Sequence, residues 1–255
     1  MTGATPAAVS VEGLTQTFER RTVIERLSFD VRENEFLSIV GPSGCGKSTT
    51  LRILAGLVRP TSGTVLARGR EVAGPLPDAA MVFQSPVLLP WRRTIANILF
   101  TAEMAGRDRA AYRGRAEELA RLAGLEGFEQ SYPHELSGGM QQRVSICRAL
   151  LLDPALLLMD EPFGALDILT RERMGFELQR IWSATKNTVV FVTHSINEAV
   201  WLSDRILVMT ARPGTVKGIV PVELARPRSS ETLKDRRFVE LSAVVRDLVE
   251  VEWVE

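Results

Sequence analysis

The chain has 255 residues, 45% of them hydrophobic, which allows one large or two small domains with a substantial core. Its 31 Lys and Arg balance 31 Asp and Glu, so no basic footprint marks a nucleic-acid binder. No apolar run is long enough to cross a bilayer, the two cysteines suggest no disulfide framework, and the start of the chain lacks the basic-then-apolar pattern of a secretory leader; a reducing cytosol is the expected compartment.

In chain order, residues 1–8 read as a disordered lead. Strand patterns follow at Val9–Leu14, Val23–Val31 and Phe36–Val40, the last an apolar run broken only by Ser38. A glycine-rich segment leads into a helix ending near Leu57. Short strands are predicted near Thr64–Ala67 and Ala80–Gln84. The chain then turns helical at Thr94–Gly106 and Asp108–Ala123, with Ala, Arg, Glu and Leu at helical spacing. A further helix, Ser137–Leu152, is stopped by Asp153-Pro154. Strands return at Ala155–Asp160 and Thr188–Thr193, with a helix from Asp167 to Ala184 between them. Arg205–Met209 and Val216–Val222 read as late strands, and Ser230–Val251 as one or two amphipathic helices. Strands and helices alternating around an apolar sheet predict an α/β core over residues 9–229. Residues of about 88–155 read as an inserted helical subdomain, and residues 230–255 as a helical tail too short for a domain of its own.

Gly41-Pro42-Ser43-Gly44-Cys45-Gly46-Lys47-Ser48, followed by Thr49, has two glycines around four residues, then Lys and Ser. Between a strand and a helix, this pattern is a phosphate cradle. The glycines let successive N–H groups face inward, the helix adds its positive end, Lys47 reaches the β- and γ-phosphates, and the Ser48 hydroxyl suits Mg²⁺. Leu156-Leu157-Leu158-Met159-Asp160-Glu161 is an apolar strand ending in two carboxylates. Asp160 suits Mg²⁺ opposite Ser48, and Glu161, pointing differently, suits a general base for the attacking water. In Leu136-Ser137-Gly138-Gly139-Met140-Gln141-Gln142, a serine and two glycines open a helix, which is a second anion-binding geometry. Cys147 reads as core. Cys45, under the loop amides and the helix dipole, is expected to have a lowered thiol pKa and to react with alkylating reagents unless ATP protects it.

With these motifs in place, the chain from Val9 to Pro221 resembles the ATPase subunit of an ATP-binding cassette transporter. The resemblance implies a P-loop core with a mainly parallel sheet, an N-terminal antiparallel β subdomain and an inserted helical subdomain. It places Phe18 against adenine, although an edge-strand core position is the competing reading. It places Gln84 on Mg²⁺ and the attacking water, His194 on the γ-phosphate and Glu161, and Gly164-Ala165-Leu166-Asp167 in a loop crossing between two sites. Two copies would pair head to tail. Each ATP would then lie on one chain's loop and under Ser137, Gly138, Gly139, Gln141 and Asp167 of the other. Met140 stands where many relatives carry Gln.

Val87, Leu88, Leu89 and Trp91, flanked by Pro86 and Pro90, form either subdomain core or a socket for a membrane-spanning permease; the socket is the favoured reading. Leu88–Arg92, Thr193–Val200 and Leu207–Gly214 are similar to the nitrate, sulfonate and taurine importer group. That implies a peripheral subunit on the cytoplasmic face of the inner membrane, served indirectly by an extracytoplasmic solute-binding protein. The alternatives are an importer ATPase for another small organic solute, a soluble cassette ATPase, or a regulatory module without catalysis.

Overall fold

The computed structural model of the chain describes residues 7–164 and 166–250. Two sheets organise it. The first is antiparallel, in the order β2 (Arg21–Arg32), β1 (Ala7–Phe18), β4 (Ser62–Ala67) and β5 (Arg70–Glu71). The second runs β10 (Val216–Pro221), β9 (Arg205–Met209), β3 (Phe36–Val40), β8 (Thr188–Val192), β7 (Leu156–Asp160) and β6 (Ala79–Val82). All its pairings are parallel except the one between β10 and β9.

Sequence decides which sheet takes which role. Every residue of β3, β7, β8 and β9 is buried, as expected of strands covered on both faces. β1 and β2 alternate between buried and accessible positions, which suits a sheet covered on one face. β1 begins at Ala7, inside the expected disordered lead, and the hairpin extends to Phe18 and Arg21. The predicted helix at Thr94–Gly106 is two, α2 (Thr94–Ile98) and α3 (Phe100–Met104), parted at Leu99. β5 has only two residues, too few for a pattern to show.

The remaining helices are α1 (Lys47–Leu54), α4 (Arg109–Leu122), α5 (Gly138–Leu150), α6 (Ile168–Thr185), α7 (Ile196–Leu202) and α8 (Arg236–Glu250). One apolar cluster joins α2–α6 to one face of the parallel sheet through Phe36, Met159 and Phe191. A second fills the space between the two sheets and α1. A third lies under the tail, where Phe238, Leu241 and Val245 of α8 are buried with Trp201, Val208 and Val220. At about 1.5–3 kcal/mol for each large side chain buried, α8 is an integral cover of the sheet. No described helix is long and apolar enough to cross a membrane.

Two buried arginines tie loops to this frame. Arg205 donates to Asp30 at 3.0 Å and to Glu35 at 3.2 Å, joining β2 to the entry of β3. Burial pushes the Glu35 carboxyl up, against the pull of Arg205. Arg228 donates to the carbonyls of Trp201 at 2.6 Å and Ser203 at 2.8 Å. Desolvation lowers its guanidinium to about 10.

Candidate functional site

The C-terminal ends of β3, β6, β7 and β8 meet at one edge of the parallel sheet, and the loop of residues 41–46 leaves β3 there. Gly46 is the N-cap of α1, at φ 103° and with no side chain capping the helix. A Cβ on it would stand 2.6 Å from Ile24, so the left-handed turn and the packing both require glycine. The first N–H groups of α1 are thereby left facing the loop, a ready anion site. The Lys47 ammonium lies across that loop, donating to the carbonyls of Gly41 at 2.8 Å and Pro42 at 3.0 Å.

The Ser48 hydroxyl donates to Asp160 at 2.7 Å, joining α1 to the end of β7. Burial pushes the Asp160 carboxyl up, and the Ser48 hydroxyl partly offsets it. The next residue, Glu161, turns away at φ 44°, the left-handed region. Its carboxylate accepts from Gln84 Nε2 at 3.4 Å and lies 3.3 Å from His194 Nδ1. Gln84, Glu161 and His194 follow three neighbouring strands and converge on one carboxylate oxygen.

Ser137 caps α5, its Oγ accepting from the Met140 N–H at 3.3 Å. Gln141 does not reach outward: its amide donates to the carbonyls of Pro133 at 2.9 Å and Leu136 at 3.2 Å, fixing the approach to the helix. Asp167 caps α6 by accepting from the Thr170 N–H at 3.0 Å, and these Thr170 contacts hold its carboxyl below the usual range. The two helix starts touch, since a Cβ on Gly139 would stand 2.9 Å from the Thr170 methyl. Gly138 has open space around it. Ala165 lies outside the described residues.

Phe18 ends β1 with 46% of its surface exposed, so it is not the edge-strand core residue of the competing reading. Trp91 is 70% exposed and Val87 is 58% exposed, while Leu88 and Leu89 between them are anchored. Leu88 packs on the helical core, and Leu89 bonds through both backbone groups to Asn97, at 2.8 and 3.1 Å. The expected reactivity of Cys45 is overturned: its side chain turns into the apolar cluster between the sheets and is fully buried. Cys147 is core as expected, and burial pushes its thiol up to about 12.

Sequence reasoning missed Glu198 and Arg171. Glu198, on the unpredicted α7, accepts from Thr193 Oγ1 at 2.5 Å and pairs with Arg171 at 3.4 Å. Arg171 also donates to the Leu166 carbonyl at 3.2 Å. The Ser195 N–H donates to Thr193 Oγ1 at 2.9 Å, which braces the turn carrying His194. Glu198 falls within the Thr193–Val200 segment, but a lone glutamate there reads as an ordinary solvated helix face, so nothing marked it as the partner of Thr193 and Arg171.

Comparison with known proteins is consistent with this geometry. The sequence pattern of a family described as ABC transporter matches residues 24–164. An uncharacterized ABC transporter ATP-binding protein of Methanocaldococcus jannaschii is 50% identical over 89% of this chain and 86% of its own length. An aliphatic sulfonates import ATP-binding protein of Bacillus cereus is 41% identical over 90% of this chain and 92% of its own length. Among solved structures, a dimeric ATP-binding cassette in a post-hydrolysis state with ADP and Pi superposes with a TM-score of 0.73 at 32% identity. It covers 85% of this chain and all of that one.

Proposed function

The chain belongs to the ABC transporter family as one of its ATPase cassettes, and we propose that two copies pair head to tail around ATP to drive uptake of a small solute through a membrane permease. One observation supports the pairing above the rest. The hydrolytic groups Ser48, Asp160, Glu161, Gln84 and His194 gather at one sheet edge, while the hydrogen bond of Ser137 runs to its own helix rather than to the loop. A second anion cradle that leaves the first alone suits a nucleotide held by another copy.

In this reading the N–H groups of residues 41–49 and the Lys47 ammonium bind the phosphates, and Phe18 lies against the base. Glu161 takes the proton of the attacking water, and Gln84 and His194 orient its carboxylate. The donor set fits Mg²⁺: Ser48, Asp160 and the Gln84 amide oxygen are hard oxygen ligands. No cluster of three His, Cys, Asp or Glu occurs among the described residues, which matches a cation held partly by substrate phosphates. When bound, the cation neutralises charge developing on the transferred phosphoryl group. A buried Asp160 with a raised pKa gains from such a counter-charge.

The solute proposed is a sulfonate, nitrate or taurine, from the likeness to the sulfonate import protein and from Leu88–Arg92, Thr193–Val200 and Leu207–Gly214. The exposed Trp91 beside anchored neighbours supports a docking surface for the permease, at the cytoplasmic face of the membrane. A solute-binding protein would act through that permease.

The test is light scattering of Glu161→Gln with saturating MgATP, alone and with the permease. Dimers that vanish on Ser137→Arg, with nucleotide binding by the monomer intact, are expected; persistent monomers under both conditions sink the pairing. For the docking surface, Trp91→Ala should leave the melting temperature unchanged and reduce co-purification with the permease at least fivefold. Equal recovery of permease with both proteins argues for the soluble alternative or another socket.

A further inference from the structure

Residues 210–215, Thr-Ala-Arg-Pro-Gly-Thr, join β9 to β10 and take no part in the site described above. They nevertheless press on the phosphate loop from outside. Arg212 Nε donates to the Gly44 carbonyl at 3.1 Å, and a Cβ on Gly44 would stand 2.1 Å from the same guanidinium. One peptide further on, a Cβ on Gly214 would stand 2.0 Å from the Cys45 carbonyl oxygen. The turn therefore meets two consecutive peptide groups of the loop.

It does so from a rigid base. The Gly214 N–H donates to the Val23 carbonyl at 2.8 Å, and its own carbonyl accepts from the Glu25 N–H at 3.0 Å, which stitches the turn to β2. Thr210 Oγ1 donates to the Pro213 carbonyl at 3.0 Å and accepts from the Thr215 N–H at 2.8 Å, which closes the turn on itself.

The consequence follows from peptide geometry. In a trans peptide the C=O and N–H point opposite ways. Holding the Gly44 carbonyl outward on Arg212 directs the Cys45 N–H into the loop, where it makes a long 3.4 Å contact with the Pro42 carbonyl. Gly44, at φ 75°, has no Cβ to resist rotation of this peptide. An external donor is what selects one orientation.

We propose that Arg212 is a positioning residue for nucleotide, fixing the Gly44–Cys45 peptide so that the loop presents its N–H groups to the phosphates. This rests on the reading of residues 41–49 as the nucleotide cradle. The same turn holds β2, the hairpin partner of the strand that carries Phe18, so one device sets the phosphate end and braces the base end.

The experiment uses the whole chain with MgADP in calorimetry, steady-state hydrolysis of MgATP, and hydrogen exchange. Loss of one partly exposed hydrogen bond predicts that Arg212→Ala raises the MgADP Kd and the ATP KM about fivefold, with kcat within twofold. Loop amides in the ADP complex should exchange faster, and amides elsewhere should not. Arg212→Lys, which keeps a charged donor, should return the Kd to within about twofold of the parent. An unchanged Kd in Arg212→Ala, a kcat loss without a Kd change, or Arg212→Lys behaving as Arg212→Ala overturns the assignment. Lys47→Ala separates the two readings. If Lys47→Ala binds MgADP normally, the cradle itself is misplaced; if it does not bind while Arg212→Ala binds as the parent does, only the role of Arg212 fails.

Discussion

Replacing Glu161 by alanine and by glycine separates its chemistry from its backbone. The residue sits at φ 44°, held by its N–H on the Val192 carbonyl at 2.9 Å and by its carbonyl on the Gly164 N–H at 3.0 Å. An L-residue in this region costs about 1–2 kcal/mol, and such strain persists where neighbours over-determine the backbone. Alanine keeps the strain. Glycine removes it, at the expense of about 0.4–1 kcal/mol for its greater freedom when unfolded. Among the described residues its side chain makes polar contacts at 3.3 and 3.4 Å, and both truncations forfeit the same contacts and packing, which cancel in the comparison. Glu161→Gly should therefore be more stable than Glu161→Ala by about 1 kcal/mol, or about 2–4 °C in melting temperature for a chain of this size. Both should lose about 10²–10⁴ in phosphate release, the share of a positioned general base, equivalent to about 3–5 kcal/mol of barrier. Calorimetry without nucleotide reads the first effect, and steady-state phosphate release the second. Equal melting temperatures, or alanine above glycine, refute the strain argument. Release within tenfold of the parent in both variants refutes Glu161 as the base.

Arg205→Leu leaves Glu35 buried without its partner, and should cost about 3–5 kcal/mol in urea unfolding at pH 8. The Glu35 pKa is already raised by burial, so the folded state holds its proton to higher pH than the unfolded chain does. The deficit should be small below the ordinary glutamate range and grow as pH rises through the raised value, and the same deficit below that range as at pH 8 contradicts this. Phe18→Ala should weaken MgATP binding about fivefold or more, by loss of base stacking, without lowering the melting temperature; a lost melting temperature instead would mark Phe18 as structural. Native protein should take up almost no alkylating reagent at pH 7.5, with or without ATP, because both thiols are buried. Rapid labelling protected by ATP would show that the loop opens to expose Cys45.

The sequence carried the site further than it carried the connections around it. Gly41–Ser48, Asp160, Glu161 and Ser137 were legible because each motif is local: its residue types and spacing follow from one loop or one strand end. β3, β7 and β8 were legible because strands buried on both faces are predominantly apolar, each here with four apolar residues in five. The break at Leu99 was not, since α2 and α3 share one apolar face across it and the periodicity continues. α7 was passed over because its seven residues span barely two turns, less than periodicity needs to register. Cys45 was misjudged for a related reason. The loop sequence shows which backbone groups surround the thiol, but not that the chain's curl turns the side chain into the gap between the sheets.

What stayed hidden is what binds the motifs to one another. Thr193, Glu198, Arg171 and Leu166 lie in two stretches of chain, 166–171 and 193–198, and no motif gives any of the four a role of its own. Yet Thr193 Oγ1 meets Glu198, Glu198 meets Arg171, and Arg171 meets the Leu166 carbonyl, one residue before the cap of α6. Glu198 is mostly shielded, and desolvation raises its pKa, so leaving it without Thr193 or Arg171 would strand a poorly solvated carboxylate. The turn that carries His194 is therefore linked to the loop that carries Asp167 through the half-buried Glu198 carboxylate. Asp167 is exposed beside Ile168 and Leu169, which are 73% and 74% exposed, so this end of the link is open to solvent. At the other end His194, the residue after Thr193, lies 3.3 Å from the Glu161 carboxylate. The contacts between the Asp167 loop and the Glu161 carboxylate thus run through the Leu166 carbonyl and the side chains of Arg171, Glu198, Thr193 and His194, a path no residue-by-residue reading of motifs could supply.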